Sequence, residues 1–444
     1  MGRAGREERG AGGTLLLVLV VVALIVVIAI TRVTQDEEGQ GALGRGPAQV
    51  DTVTGAAEQS LNQYWEKEFP AVYGEDFTPL EGGFQPKTPQ SEPFSCSGES
   101  LTYDDVAGNA FYCGGPDDDY IAWDAAELFP QLTEQFGSIA PAVVLAHEMG
   151  HAVQQRAQVK AASVVVELQA DCFAGSWLRF AETSGDDPVT LTEGALDSAV
   201  GAILVLRDQP GTAATNQQAH GLGFDRVNAF QTGYEEGAER CATFPDKGVV
   251  TTELPFRTVS EAQTGGNLPF AEAMEFLPDQ LDKFWTTEFP KIAPGETFER
   301  PSRRPQGQGP LPECAKPGGI SGYCADLRAV MWVVPDLAAV HQQIGDLATG
   351  AVLSDAWGAA AQSEAGLPVD GKAAGLQRDC FTGVWLAALA EGGLEQSLLS
   401  PGDVDEVLAM MIGSSKSAAD DRGGAFERTK AFRQGLLEGS CPTG

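Results

Sequence analysis

The chain has 444 residues, 43% of them hydrophobic, which is enough for two or three domains with sizeable cores and excludes wholesale disorder. Its formal charge is −33, from 62 acidic against 29 basic side chains. Such a chain is repelled by phosphate backbones and anionic headgroups, so no nucleic-acid partner is expected.

In chain order, the first feature is an unbroken apolar run from Leu15 to Ile30. With its neighbours it makes about 21 residues, or roughly 31 Å of helix, the thickness of a bilayer core. Arg3, Arg6 and Arg9 precede it, and Asp36, Glu37 and Glu38 follow soon after it. The positive-inside rule then predicts a cytoplasmic segment at 1–13, a transmembrane signal anchor at 14–31 and everything beyond outside the membrane. A cleaved signal peptide is the alternative, but Ile28-Ala29-Ile30-Thr31 is a poor cleavage site. Eight cysteines suit an oxidising exterior. Residues 32–55, rich in Gly, Gln, Thr and acidic side chains, read as a flexible stalk.

Beyond the stalk the sequence repeats itself. The segment Leu61 to Pro70, with Trp65 and Phe69, recurs as Leu281 to Pro290, with Trp285 and Phe289. Leu168-Gln-Ala-Asp171-Cys172-Phe173-Ala-Gly175-Ser-Trp177 recurs as Leu376-Gln-Arg-Asp379-Cys380-Phe381-Thr-Gly383-Val-Trp385, and Phe224 to Phe230 recurs as Phe426 to Phe432. The offset falls in order from 220 through 208 to 202, and 11 of 32 positions match between Ala146–Trp177 and its counterpart. This pattern reads as a tandem duplication: a first copy at 56–243, a linker at 244–268 containing Pro245, Pro255, Gly265 and Gly266, and a second copy at 269–444. The cysteines repeat too. The expected pairs are Cys96–Cys113 and Cys172–Cys241, echoed by Cys314–Cys324 and Cys380–Cys441. Each longer loop contributes roughly 4 kcal/mol in the chain-entropy picture.

The predicted fold is a mainly helical α+β domain, present twice. Helices are expected over Ser138–Gln158, Ala162–Glu182, Thr192–Asp208 and Phe224–Ala242, and strands near Ala110–Cys113 and Tyr120–Trp123.

The first of these helices carries His147-Glu148-Met149-Gly150-His151. Positions i and i+4 share a helix face, so both imidazoles reach one metal ion, and Glu148 lies beside it. The apolar flank Ala140 to Ala146 argues against two chance surface histidines, and the chain has four histidines in all. A catalytic zinc site needs a third protein ligand and an open position. Glu167 is the expected ligand. Asp171, one turn further on, is expected to accept a proton from a ligand histidine and so fix its tautomer. The reverse assignment of Glu167 and Asp171 is the alternative.

His147 to His151, Glu167 to Gly175, and His220-Gly221 with Arg226 resemble the bacterial putative neutral zinc metallopeptidase family, zincins with a Glu-x-x-x-Asp third-ligand pattern. The resemblance covers residues 56–243. It implies His147, His151 and Glu167 as ligands of one Zn2+ per chain, and Glu148 as the catalytic residue. Two positions depart from the family pattern: Ala152, where a histidine is frequent, and Leu222, where a small hydroxyl residue is. Peptide hydrolysis is then expected through a zinc-activated water, with Glu148 as general base. His220 is the first candidate to stabilise the oxyanion. Arg226 is the second, or else a structural ion-pair residue. Tyr120 to Trp123 is the candidate edge strand for a peptide substrate. His341, aligned with Thr133, reads as a surface residue.

The second copy lacks this chemistry. His147, Glu148 and His151 align with Asp355, Ala356 and Ala359, Glu167 with Gly375, and His220 with about Arg422. One zinc site is therefore expected. The expected activity is that of a membrane-anchored extracytoplasmic peptidase acting on proteins or peptides. The rival is an inactive binding or scaffold protein of the cell envelope.

Overall fold

The computed structural model describes residues 47–115, 118–210, 220–249, 251–252, 254–316, 318–390, 398–414 and 422–442. The expected anchor at 14–31 and its flanks up to residue 46 lie outside the described residues. Among the described residues no helix is long and apolar enough to cross a membrane.

The first half opens with α1 (Pro47–Tyr73). Its start corrects the expected stalk: residues 47–55 are helical, and Val50 and Thr54 are buried. The spacing of Ala57, Leu61, Trp65 and Phe69 puts these side chains on one face, and all four are buried. Trp65 meets the ring of Phe173 edge-on at 5.0 Å. A three-stranded sheet follows, in the order β1 (Gly83–Lys87), β5 (Asp119–Asp124), β4 (Ala110–Gly114). β1 runs parallel and β4 antiparallel to β5. A hairpin of β2 (Phe94–Cys96) and β3 (Glu99–Leu101) is tied to β4 by the Cys96–Cys113 disulfide. The expectation that Tyr120–Trp123 forms an edge is corrected here. β5 is the central strand, because Tyr120, Ile121, Ala122 and Trp123 are all buried between two paired neighbours and the core.

The rest of this half is helical: α2 (Leu128–Phe136), α3 (Ala140–Arg156), α4 (Ser163–Thr183), α5 (Ala195–Val205) and α6 (Gly223–Glu236). The helix expected to run to Ala242 breaks at Gly237, whose φ of +84° is left-handed, and a short segment, Ala238–Ala242, carries Cys241 to its partner Cys172. α4 and α6 cross at backbone contact. A Cβ on Gly175 would lie 1.9 Å from the Phe230 carbonyl oxygen, and one on Gly233 would lie 1.7 Å from that of Cys172. Gly150 on α3 lies close to Ala170 of α4, where a Cβ would stand 2.8 Å from Cα.

The residues expected to form a linker include two short helices, Phe244–Lys247 and Val259–Thr264, and Phe244 is buried. Apart from the β2–β3 hairpin, which has no counterpart among its described residues, the second half runs through the same order of elements: α7 (Phe270–Ile292), β6 (Ser302–Gln306), β7 (Ser321–Cys324), β8 (Ala329–Val333), α8 (Val334–Gln343), α9 (Asp346–Glu364), α10 (Lys372–Ala390), α11 (Asp403–Ser414) and α12 (Ala425–Glu438). Its sheet has the order β6-β8-β7, with the same parallel and antiparallel senses as in the first half. Trp285 meets Phe381 edge-on at 5.0 Å, as Trp65 meets Phe173. Cys314 pairs with Cys324 and Cys380 with Cys441, the pairing expected from the sequence. His341 departs from its expected surface role: it is half-buried on α8, 2.8 Å from the Leu268 carbonyl oxygen and against the ring of Phe270. The halves meet through α5 and α6 on one side and α11 and α12 on the other.

Candidate metal centre

α3 begins with Pro141 in its first turn and is buried through its apolar first half. That burial sets His147 in the interior, with the half-buried His151 one helical turn further on and their ring centroids 4.8 Å apart. Their Nε2 atoms lie 3.2 Å from each other. α4 brings Glu167 to the same point: its carboxylate oxygens stand 3.4 Å from His147 Nε2 and 3.5 Å from His151 Nε2. These three side chains form one of two groups among the described residues whose donor atoms lie close enough together to hold a metal ion.

The other ring nitrogens are held. His147 Nδ1 lies 2.8 Å from Asp171 Oδ1, and His151 Nδ1 lies 2.9 Å from Gln154 Oε1. Each Nδ1 thus faces an acceptor oxygen, and both Nε2 atoms face the Glu167 carboxylate. Two imidazole nitrogens and one carboxylate oxygen, with tautomers set from behind, form a donor set that fits zinc. Asp171 is itself gripped by Arg226, whose Nε and Nη2 each donate to one of its oxygens at 2.8 Å. Arg226 also donates to the Leu206 carbonyl oxygen, which ties the end of α5 to the pair. Arg226 is thus buried and fully engaged.

Glu148 is buried, and its Oε2 accepts the Tyr112 backbone N–H of β4 at 2.9 Å. Asp119 of β5 accepts from the Tyr112 hydroxyl at 2.8 Å and from Arg156 at 2.9 Å, fastening the sheet to the end of α3. His220 follows residues 211–219, which lie outside the described set. Its backbone N–H donates to Asp208 at 2.7 Å, and its Nδ1 stands 3.2 Å from Glu167 Oε2. Its side chain is 57% exposed, so it reaches the cluster from the solvent side.

Burial alone would lower the pKa of His147. The neighbouring Asp171 and Glu167 carboxylates outweigh burial and raise it to about 10. Burial would raise Glu167, yet the surrounding histidines hold it well below the carboxylate range. Burial pushes Glu148 up, against the opposing pull of His147 and His151. His220 is raised, chiefly by its hydrogen bond to Glu167.

Sequence reading missed three supports: Gln154, the Tyr112 backbone N–H and Asp208. Gln154 left a signal. It recurs as Gln362, which makes the same bonds one half later. Gln154 donates to the Val166 carbonyl and to Gln169, and Gln362 to the Ala374 carbonyl and to Gln377. The other two left none, because a backbone donor and a loop aspartate are generic features.

At the corresponding place in the second half, Asp355 stands between two arginines. Arg378 Nε is 2.7 Å away and Arg422 Nη1 is 2.9 Å away. A Cβ on Gly375 would lie 2.4 Å from Arg422 Cγ, so the arginine stem occupies the space a Glu167 side chain would need. Their charges hold Asp355 far below the carboxylate range. Asp379 and Arg428 repeat the buried bidentate pair, at 2.8 and 3.0 Å.

The second close group is all carboxylate: Asp346, Asp403 and Glu406. Asp346 accepts from the Leu268 N–H, Asp403 from the Ser400 N–H and Glu406 from the Leu347 N–H. Burial pushes all three up, and their mutual repulsion adds to this for Asp403 and Glu406.

A model of the putative neutral zinc metallopeptidase family matches residues 1–244. The chain is similar to the uncharacterized protein YpfJ of Escherichia coli K12, at 29% identity over 157 residues, 30% of this chain and 53% of that protein. It is also similar to the uncharacterized protein Rv2575 of Mycobacterium tuberculosis H37Rv, at 35% identity over 162 residues, 30% of this chain and 54% of that protein. The chain thus spans about half the length of the curated relatives it matches. No solved structure matches it.

Proposed function

The chain belongs to the putative neutral zinc metallopeptidase family, and from that premise we propose that it is a membrane-anchored extracytoplasmic endopeptidase with one zinc site, at His147, His151 and Glu167. The observation that carries this reading is the convergence of both Nε2 atoms on the Glu167 carboxylate, with both Nδ1 atoms held by Asp171 and Gln154.

When bound, zinc supplies a Lewis acid that activates a water and polarises the scissile carbonyl. The protein's own residues do the rest. Asp171, held by Arg226, keeps His147 in the tautomer that presents Nε2. Gln154 does the same for His151. Glu148 takes the proton of the attacking water and passes it to the leaving amine; its burial favours the protonated form that the second step requires. His220, reaching the cluster from the solvent side, donates to the developing oxyanion. Arg226 is committed to Asp171 and acts as a positioning residue. β4, an edge strand whose Tyr112 N–H holds Glu148, is where an extended peptide would dock.

The common element order supports a tandem duplication with boundaries near 56–243 and 269–444. The Asp355–Arg378–Arg422 cluster supports a second half that takes no zinc there, because the protein supplies its own cations. The apolar run at 14–31, with its flanking charges, supports the anchored, extracytoplasmic placement.

The test is cleavage of a peptide library by the purified protein, with and without a chelator, beside Glu148→Gln. A drop of about 10²-fold or more with zinc retained is expected for the variant. Full activity in zinc-loaded Glu148→Gln contradicts the mechanism, and zinc uptake without cleavage of any peptide favours a binding or scaffold role.

A further inference from the structure

α6 carries Arg226, yet its first turn is not capped from its own half. Its N-cap residue is Leu222, which has no side-chain acceptor, and the first N–H groups of a buried helix need one. The acceptor comes from the other half. Asp405 of α11 takes the Gly223 N–H on Oδ2 and the Phe224 N–H on Oδ1, both at 2.9 Å. Asp405 and Phe224 are both buried.

The same contact is made in reverse. α12 has Gly424 as its N-cap and no side-chain cap of its own. Asp197 of α5 accepts the Phe426 N–H at 2.9 Å, and it lies so close that a Cβ on Gly424 would stand 2.3 Å from its Oδ2. Asp197 and Asp405 occupy equivalent places on equivalent helices, so each half caps the other across a pseudo-twofold interface. The two caps lead to different ends. From Asp197 the path runs through α12 and Arg428 to Asp379, behind a site without zinc ligands. From Asp405 it runs through α6 and Arg226 to Asp171, and so to His147 Nδ1.

We propose that the second half is a built-in partner of the zinc site, and that Asp405 is the positioning residue through which it acts. By fixing the first turn of α6, Asp405 sets where the Arg226 guanidinium stands, and with it the carboxylate that orients His147. This rests on the zinc reading above. It also gives the second half a task that requires no chemistry of its own: the cap must survive there, and the zinc ligands need not.

The test compares Asp405→Ala and Asp405→Asn with Asp197→Ala in the full chain. The readouts are Zn2+ affinity, by competition with a chromophoric chelator, and the thermal midpoint. Asp405→Ala is expected to weaken Zn2+ binding about tenfold, the low end for residues behind a metal ligand. Asp197→Ala is expected to lower the midpoint, as loss of a cap does, while leaving Zn2+ affinity within about twofold. Asp405→Asn, which keeps one acceptor, is expected to fall between Asp405→Ala and the wild type. The substitution Leu222→Ser gives α6 a local cap and is expected to restore Zn2+ affinity to Asp405→Ala; it also serves if the single variant folds poorly. Unchanged Zn2+ affinity in Asp405→Ala, or an equal loss in Asp197→Ala, overturns the proposal. A wild-type chain that takes up no Zn2+ overturns the zinc reading and this proposal together.

Discussion

At the scale of single residues, the second half separates fold from chemistry. Asp171–Arg226 and Asp379–Arg428 are the same buried pair, so the carboxylate beside His147 is also a fold staple. Breaking such a pair leaves an unpartnered buried charge, at a cost of about 3–5 kcal/mol. Asp171→Asn and Asp379→Asn are therefore expected to lose comparable stability in denaturant titrations. Only Asp171→Asn is expected to weaken zinc binding, by about 10–100-fold. Equal zinc affinity in both variants would show that Asp171 does not orient His147. His220→Ala is expected to lower kcat by about 10²-fold with zinc content intact, as for loss of an oxyanion donor. An unchanged kcat would assign the oxyanion to another group. The cluster of His147, His151 and Glu167 was legible in the sequence because helical spacing alone puts the first two on one face. The Arg226–Asp171 pair was not, because 55 residues separate the partners and no local pattern links them. The departure at Leu222 also had no meaning until the cap from Asp405 was seen opposite it.

At the scale of elements, the repeated glycines are the points where helices touch. A Cβ on Gly175 or Gly383 would fall about 2 Å from a carbonyl oxygen of the crossing helix, at 1.9 and 2.1 Å. Gly175→Ala and Gly383→Ala are each expected to cost at least about 1–3 kcal/mol as overpacking. The carboxylates at the starts of α9 and α11 make a pH-dependent element. Asp346, Asp403 and Glu406 are all raised, with His341, Arg257 and Glu261 as the charged or titratable neighbours around them. A carboxyl raised in the folded state binds its proton more tightly there than in the unfolded chain. Its stabilising contribution is thus full at low pH and is lost as pH rises from about 4 through the folded value. Asp403→Asn, which mimics the protonated form, is expected to raise the denaturant midpoint at neutral pH and flatten its decline with pH; an unchanged slope would show that the group titrates normally. Helix positions were legible from apolar periodicity, and the misjudged ends have local causes, such as the left-handed Gly237. The edge assignment of β5 failed because a short apolar run reads alike in a central and an edge strand.

At the scale of the whole molecule, the repeat was legible because Trp65, Gly175 and the cysteines are packing and cross-linking residues, and both halves still need them. The contact between the halves was not legible. Asp197 and Asp405 look like ordinary helical acids, and their partners lie on the far side of the chain, 229 and 182 residues away. The sites themselves differ: one half has two imidazoles and a carboxylate, and the other fills the equivalent space with Arg378 and Arg422. The most direct measurement is the zinc content of the purified full chain, beside a His147→Ala/His151→Ala double variant and an Asp355→Ala variant. One zinc per chain is expected in the wild type and in Asp355→Ala, and none in the double variant. Two zincs in the wild type, or zinc retained at full stoichiometry when both histidines are gone, would contradict a single zinc site at His147, His151 and Glu167.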